Sequence, residues 1–362
     1  MDRRAFLSLV GTAAGAAAVG GSGALLAGAA APAEAAAPRR RALMHVGCQS
    51  YPLTDENLRY YQRCGVHNVV DCYPNMPGQP DYWVAENLLA FRKHTESFDV
   101  SIDMVQVPYP KFTMLGKSPE RDEEISNIRQ MIRVASKAGV PALKYNLHIL
   151  WVLRTESTPG RGGTMYSTWD LEKGSRESSR PDAGRVTADQ MWERMTYFLE
   201  RVIPHAERYK VRMACHPHDT PAPPGFQGID EVLGTVEGLK RFVTTCESEY
   251  HGLNFCQGTV AEMLEKPGRD IYEVIRWFAE RKKIFLVHFR NIRGGRNNFQ
   301  EVYPDEGDVD MARAMRVYRD CGYEHMIIPD HEPTSPEDPQ SKLSYAFAYG
   351  YIKALIQAVN GE

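Results

Sequence analysis

After Arg41 the chain alternates eight times between a short apolar run and a longer amphipathic one, and this alternation constrains the fold more than any other feature. The strand candidates are His45–Ser50, Asn68–Tyr73, Val100–Val107, Ala142–Leu147, Val211–His216, Gly252–Cys256, Ile284–Phe289 and Met326–Asp330. Helical patterns fall between them, among them Glu123–Ala138, Ala188–Tyr209 and Met311–Cys321. Gly139 and Gly322 sit where helices hand over to strands, and Thr187 with Gln190 has the spacing of a capping box. Strands alternating with helices build parallel sheets, and eight such units point to a closed (β/α)8 TIM barrel. An open doubly wound sheet is the alternative. It would carry a Gly-rich phosphate loop after the first strand, and His45-Val46-Gly47-Cys48-Gln49-Ser50 is not one. No repeat or linker divides residues 41–362, which read as a single catalytic domain. A Gly-, Ser- and Arg-rich insertion, about Thr155 to Arg185, follows the fourth strand; at that place in a barrel it is either a lid or an unstructured surface loop.

Residues 1–37 do not belong to that pattern. Arg3-Arg4-Ala5-Phe6-Leu7 opens an Ala/Gly-rich run ending at Ala35-Ala36-Ala37. A charged start, an apolar middle and a small-residue cleavage site make a signal peptide, and the paired arginines before Phe-Leu are of the twin-arginine type. The expectation is a periplasmic or secreted protein, with no stable membrane span after cleavage; a retained signal anchor is the alternative. The seven cysteines mostly sit inside apolar runs, as small buried hydrophobes do.

Composition excludes some partners. With 43 Lys+Arg against 46 Asp+Glu, a net charge of -3 and 43% hydrophobic residues, the chain is neither a disordered polyelectrolyte nor a nucleic-acid binder, since no basic excess is present to neutralise phosphates. A small-molecule ligand is expected, and a homo-oligomer is compatible with the sequence.

Barrel enzymes place their chemistry where the strands end. Four consecutive candidate strands end in His216, Cys256, His288 and Asp330. Two imidazoles, a thiolate and a carboxylate converging on one side of a barrel mouth make a divalent metal site. The mixed donor set suits Zn²⁺, Fe²⁺ or Mn²⁺. A catalytic site needs open positions, and four protein ligands leave two on a six-coordinate Mn²⁺ or Fe²⁺ but none on tetrahedral Zn²⁺.

The same segments carry a resemblance. His216-Pro217-His218-Asp219, Gly252-Leu253-Asn254-Phe255-Cys256, His288-Phe289-Arg290-Asn291 and Pro329-Asp330-His331 resemble the mannonate dehydratase family, of the xylose isomerase-like TIM barrel superfamily. Tyr145-Asn146 with Trp151 and Arg154-Thr155, Phe299-Gln300-Glu301 and Gly307-Asp308-Val309-Asp310-Met311 fit as well. The resemblance implies a hydro-lyase that turns D-mannonate into 2-keto-3-deoxy-D-gluconate and water, using Mn²⁺ or another divalent metal such as Fe²⁺. It places the ligands on His216, Cys256, His288 and Asp330, it puts His331 beside the metal, and it matches a family tyrosine to Tyr345. The chain departs from the family's usual His-Pro-Asp-Asp-Pro-Pro at His218 and Thr220, and from its Gly-Arg after the Asp-His pair, where Glu332-Pro333 stand.

Dehydration requires a base for the C2 proton and an acid for the C3 hydroxyl. His331 and Tyr345 are the expected pair, with His218 a third candidate. Asn146, Arg154 and Arg290 are expected to bind the carboxylate and hydroxyls of the substrate, the arginines as bidentate forks. Two other readings compete: a metal-dependent sugar isomerase or epimerase on the same barrel, and an exported sugar-acid binding protein without catalysis.

Overall fold

The computed structural model describes residues 41–74 and 81–361; the expected leader lies outside the described residues. Eight parallel strands form the centre: β1 (His45–Cys48), β2 (Asn68–Asp71), β3 (Ser101–Gln106), β4 (Ala142–Asn146), β5 (Arg212–His216), β6 (His251–Cys256), β7 (Ile284–His288) and β8 (Met326–Ile328). They close in the order β1-β8-β7-β6-β5-β4-β3-β2. Closure is visible at β1, where Gly47 pairs with Asn68 of β2 and His45 with Met326 of β8. The expected barrel is therefore the fold. Several observed strands stop one or two residues before their expected ends, and at the last strand the reason is local. Pro329 has no N–H to give the ladder, so β8 ends at Ile328 and Asp330 leaves it free to turn into the mouth.

Side chains alternate along each strand, which sorts them into two cores. Val70, Met104, Ala142, Ala214, Leu286, Met326 and Ile328 form one buried cluster, the barrel lumen. The other residues of the strands meet the surrounding helices in a larger cluster. Stepping two residues onward from lumen residues gives Lys144, His216, His288 and Asp330, so the lumen's apolar floor leads directly to a polar upper layer.

The helices start and stop where the sequence signals them. Ala188–Tyr209 has the Thr187–Gln190 capping box. Glu120–Ala138 ends in Gly139 at φ 75°, a left-handed conformation that glycine adopts without steric cost. No helix of the described residues is long and apolar enough to cross a membrane.

The insertion after β4 is neither a detached lid nor an unstructured loop. Thr158–Pro159 pairs with Met165–Tyr166. Thr168–Asp170 joins an antiparallel hairpin, Asn291–Gly295 with Asn298–Val302, which follows β7. Trp169 is buried against Phe226, ring centroids 5.6 Å apart. This small sheet lies at the C-terminal end of the barrel strands and carries Glu301 toward the mouth.

Candidate active site

The ends of β5, β6 and β7 bring His216, Cys256 and His288 together, with one ligand atom of each within 4.8 Å of the others. Asp330 reaches two of them: its Oδ2 is 3.5 Å from Cys256 Sγ and its Oδ1 3.2 Å from His288 Nδ1. The His216 ring is oriented by its neighbour, since Nδ1 lies 2.7 Å from the Pro217 carbonyl oxygen. A proton on Nδ1 leaves the Nε2 lone pair for a cation. His288 has the reverse arrangement. Its Nε2 is 3.0 Å from the Asn254 side-chain amide, and its Nδ1 is buried facing Asp330 Oδ1. A metal on Nδ1 requires a proton on Nε2. The Asn254 amide oxygen is buried and unpartnered, so half a turn of that amide gives Nε2–H its acceptor.

Burial depresses both imidazoles, His216 well below the ordinary value and His288 to about 4. Both are therefore neutral, the form that ligates. Burial pushes the Cys256 thiol well up, a direction that a bound cation reverses. Burial also raises Asp330, but His288, His331 and Arg290 outweigh it and keep the carboxylate ionised. Neutral nitrogens, a thiol and an anionic oxygen, gathered in one buried cluster, are a donor set that fits a divalent metal.

Beside this set lies a desolvated ionic network. Arg290 Nη2 donates to Asp219 (2.9 Å), Glu262 (2.7 Å) and Thr259 Oγ1 (3.0 Å). Its Nη1 meets Glu301 at 2.5 Å and His331 Nδ1 at 2.6 Å. Arg154 pairs with Asp219 at 2.9 Å and with Glu301. Two guanidiniums thus face three carboxyl groups. Asp219 is held well below the ordinary range and Glu301 at about 2, because cationic neighbours overcome the cost of burial. Glu262 is the surplus acid. Burial and the Asp219 charge push it up to about 8, against the pull of both arginines. Asp219, Glu301 and His331 also converge as a potential ligand group, but the Arg290 guanidinium already bridges them.

Three of the expected residues have protein partners in this geometry. Arg290 and Arg154, expected to clamp the substrate, have their terminal nitrogens committed to protein acceptors, because the buried acids need counter-charges. His218, expected near the reaction, is 1% exposed and pairs through Nδ1 with the Glu231 carboxylate. Glu231 in turn accepts from the Ile149 and Leu150 N–H groups at 2.8 and 2.7 Å. His218 therefore braces the turn after β4 and does not join the ligand cluster.

The other expected residues lie at the mouth. Asn146 ends β4 in register with His216. The Tyr345 hydroxyl donates to the Asp330 carbonyl oxygen at 2.5 Å, and burial drives its pKa well up, so it stays a phenol. His331 sits at the lip with 42% of its side chain exposed. Burial opposes its charge, but Asp330 and Glu301 draw its pKa upward, and solvent screens part of that pull. A cavity of about 290 Å³ opens there, lined by Glu301, His331, Glu332, Val152, Met165 and Ser167 among others. A larger one, about 700 Å³, lies at the opposite end of the barrel around Arg212 and Phe285, away from the ligand cluster.

Sequence reasoning gave no role to Asp219, Glu262, Glu301, Asn254, Gln49 or Lys144. For Lys144 a signal was present, a charged residue inside the apolar run Ala142-Leu143-Lys144-Tyr145. Glu262 gave none, because nothing in its helical run sets it apart.

The family model for D-mannonate dehydratase (UxuA) matches residues 49–180 and 182–361. The chain is 26% identical to mannonate dehydratase 2 of Halalkalibacterium halodurans, covering 69% of this chain and 79% of that protein. It is 27% identical to mannonate dehydratase of Thermotoga maritima, covering 77% and 85%. The solved mannonate dehydratase from Streptococcus suis serotype 2 superposes with a TM-score of 0.76 at 23% identity, covering 88% of this chain and 94% of that one. A xylose isomerase domain protein from Planctomyces limnophilus shares the barrel at a TM-score of 0.56 and 17% identity, over 90% and 100%. With nearly all of its barrel matched, the chain belongs to the D-mannonate dehydratase family.

Proposed function

We propose that this chain is a metal-dependent hydro-lyase that converts D-mannonate into 2-keto-3-deoxy-D-gluconate and water. The observation that carries the reading is the convergence of His216, Cys256 and His288, with Asp330 touching two of them. A divalent ion held there would supply Lewis acidity to the substrate's carboxylate and neighbouring hydroxyl, favouring the charge that develops as the C2 proton leaves. We assign that ion to Mn²⁺ or Fe²⁺, since a tetrahedral metal would be closed by four protein ligands.

The protein's own groups do the rest. One base takes the C2 proton, the C2–C3 double bond forms, the C3–O bond breaks, and the departing hydroxide takes a proton to leave as water. The resulting enol tautomerises to the 2-keto-3-deoxy acid. His331 and Tyr345 are the acid–base pair, and both are tied to Asp330, one adjacent in sequence and one through the Asp330 carbonyl oxygen. Arg290 and Arg154 position Glu301 and Asp219, and Glu301 holds His331 Nδ1 at 2.8 Å. Asn146 faces the substrate beside His216.

The thiolate separates this reading from a sugar isomerase or epimerase, whose ligand sets are carboxylate-rich. The test is product analysis on protein reconstituted anaerobically with Mn²⁺ and offered D-mannonate beside other aldonates. Release of a 2-keto-3-deoxy acid supports the reading; a product isomeric with its substrate refutes it. Twin-arginine export to the periplasm or the medium, from the leader at 1–37, is part of the proposal. Cell fractionation with and without Arg3 and Arg4 tests it.

A further inference from the structure

Lys144 is a charged residue on the inner face of the barrel, 5% exposed, in β4. Its ammonium donates to Gln49 Oε1 at 2.6 Å. Gln49 follows β1, and β1 and β4 are not neighbours in the barrel: two strands, β2 and β3, stand between them one way round and four the other. The contact therefore spans the lumen and places the ammonium within it, under the mouth. The Gln49 amide also donates to Asp330 Oδ1 at 3.3 Å, so Lys144 stands two hydrogen bonds from a proposed metal ligand. Its positive charge is felt at both His216 and His288.

No carboxylate lies within ion-pair distance of Lys144 among the described residues, and Gln49 takes only one of its three N–H donors. A nearly buried ammonium in that condition is costly unless an anion completes its shell. With a divalent cation, the ligand set of two neutral imidazoles, one thiolate and one carboxylate sums to zero. Lys144 then leaves the lumen one positive charge in excess, which matches a monoanionic sugar acid.

We propose that Lys144 anchors the carboxylate of the substrate beside the metal centre, and that this charge pairing selects aldonates over neutral sugars. The arginines at the mouth are unsuited to that task because their terminal donors are engaged. The inference rests on the dehydratase reading and names the residue that recognises the acid.

The test compares wild type, Lys144→Met and Lys144→Arg, with D-mannonate and its uncharged carboxamide as ligands. Binding is measured by calorimetry on metal-free and on Mn²⁺-loaded protein, together with metal content. Lys144→Met keeps the apolar stem, so the barrel fills the same space. The expected result is a 10- to 100-fold weaker binding of D-mannonate to Lys144→Met, unchanged carboxamide binding, full metal content, and partial recovery in Lys144→Arg. Equal weakening of both ligands would assign Lys144 a purely structural role through Gln49 and overturn the proposal, as would unchanged D-mannonate binding. Wild-type turnover keeps the two claims apart. Turnover with Lys144→Met unaffected sinks only the lysine assignment, whereas a wild type that releases no keto acid sinks the dehydratase reading.

Discussion

Glu262 offers the sharpest physical test of the buried network. It is 0% exposed, accepts one hydrogen bond from Arg290 Nη2, and leaves its Oε2 without a partner. Two arginines are balanced by Asp219 and Glu301, so the third carboxyl keeps its proton until about pH 8. Below about pH 4.5 both folded and unfolded chains hold that proton. Between about 4.5 and 8 the unfolded chain releases it and the folded chain does not. Over that window the wild type loses about 1.4 kcal/mol of stability per pH unit from this group alone. Glu262→Gln is nearly isosteric, keeps an oxygen for Arg290, and does not titrate. Relative to wild type, the variant should therefore gain roughly 3 kcal/mol between pH 5.5 and 7.5. Urea denaturation of both proteins across that range, read by the first unfolding transition, supplies the difference. Parallel stability curves would refute the reasoning, because they would mean that Arg154 and Arg290 keep Glu262 ionised in the folded chain.

Other consequences are simpler to read. Cys256→Ala and His288→Ala should each abolish divalent-metal binding by elemental analysis while the far-UV spectrum stays that of a folded barrel; full metal occupancy in either would overturn the ligand assignment. With D-mannonate in D₂O, His331→Asn and Tyr345→Phe should separate the two proton roles. The variant lacking the acid still exchanges the C2 proton without forming product, and the variant lacking the base does neither; identical behaviour would contradict a division of labour. Gly258→Ala should cost about 1–3 kcal/mol in thermal or urea unfolding, because an added Cβ would stand 2.8 Å from Arg290 Cβ, a side chain locked by its ion pairs; a neutral effect would show that the network can move.

The barrel was legible because its signal is repeated. Each strand is a short apolar run, each run is followed by an amphipathic helix, and Ala188–Tyr209 even has the expected bounds. The candidate ligands were legible for a related reason, since His216, Cys256, His288 and Asp330 are polar or reactive groups ending runs that are otherwise buried. What sequence could not supply was partnership. A chain shows that Arg290 follows β7, but not that Asp219, Glu262 and Glu301, brought from three other segments, take up its donors. The same holds for His218, whose role follows from a carboxylate, Glu231, that only the fold brings to it. The hairpin at Asn291–Val302 was missed because Arg293-Gly294-Gly295-Arg296-Asn297 reads as a loop; Gly294 and Gly295 are paired strand residues, and the turn is only Arg296-Asn297, with Asn297 at φ 69°.

The central claim is that this mouth removes water from a sugar acid by way of the C2 proton. It is tested most directly by incubating Mn²⁺-loaded wild-type protein with D-mannonate in D₂O and reading the product by NMR and mass spectrometry. The account predicts 2-keto-3-deoxy-D-gluconate lighter by one water and carrying one solvent deuterium at C3, with none formed by Cys256→Ala. A product of unchanged formula, or no reaction from protein shown to hold its metal, would contradict it.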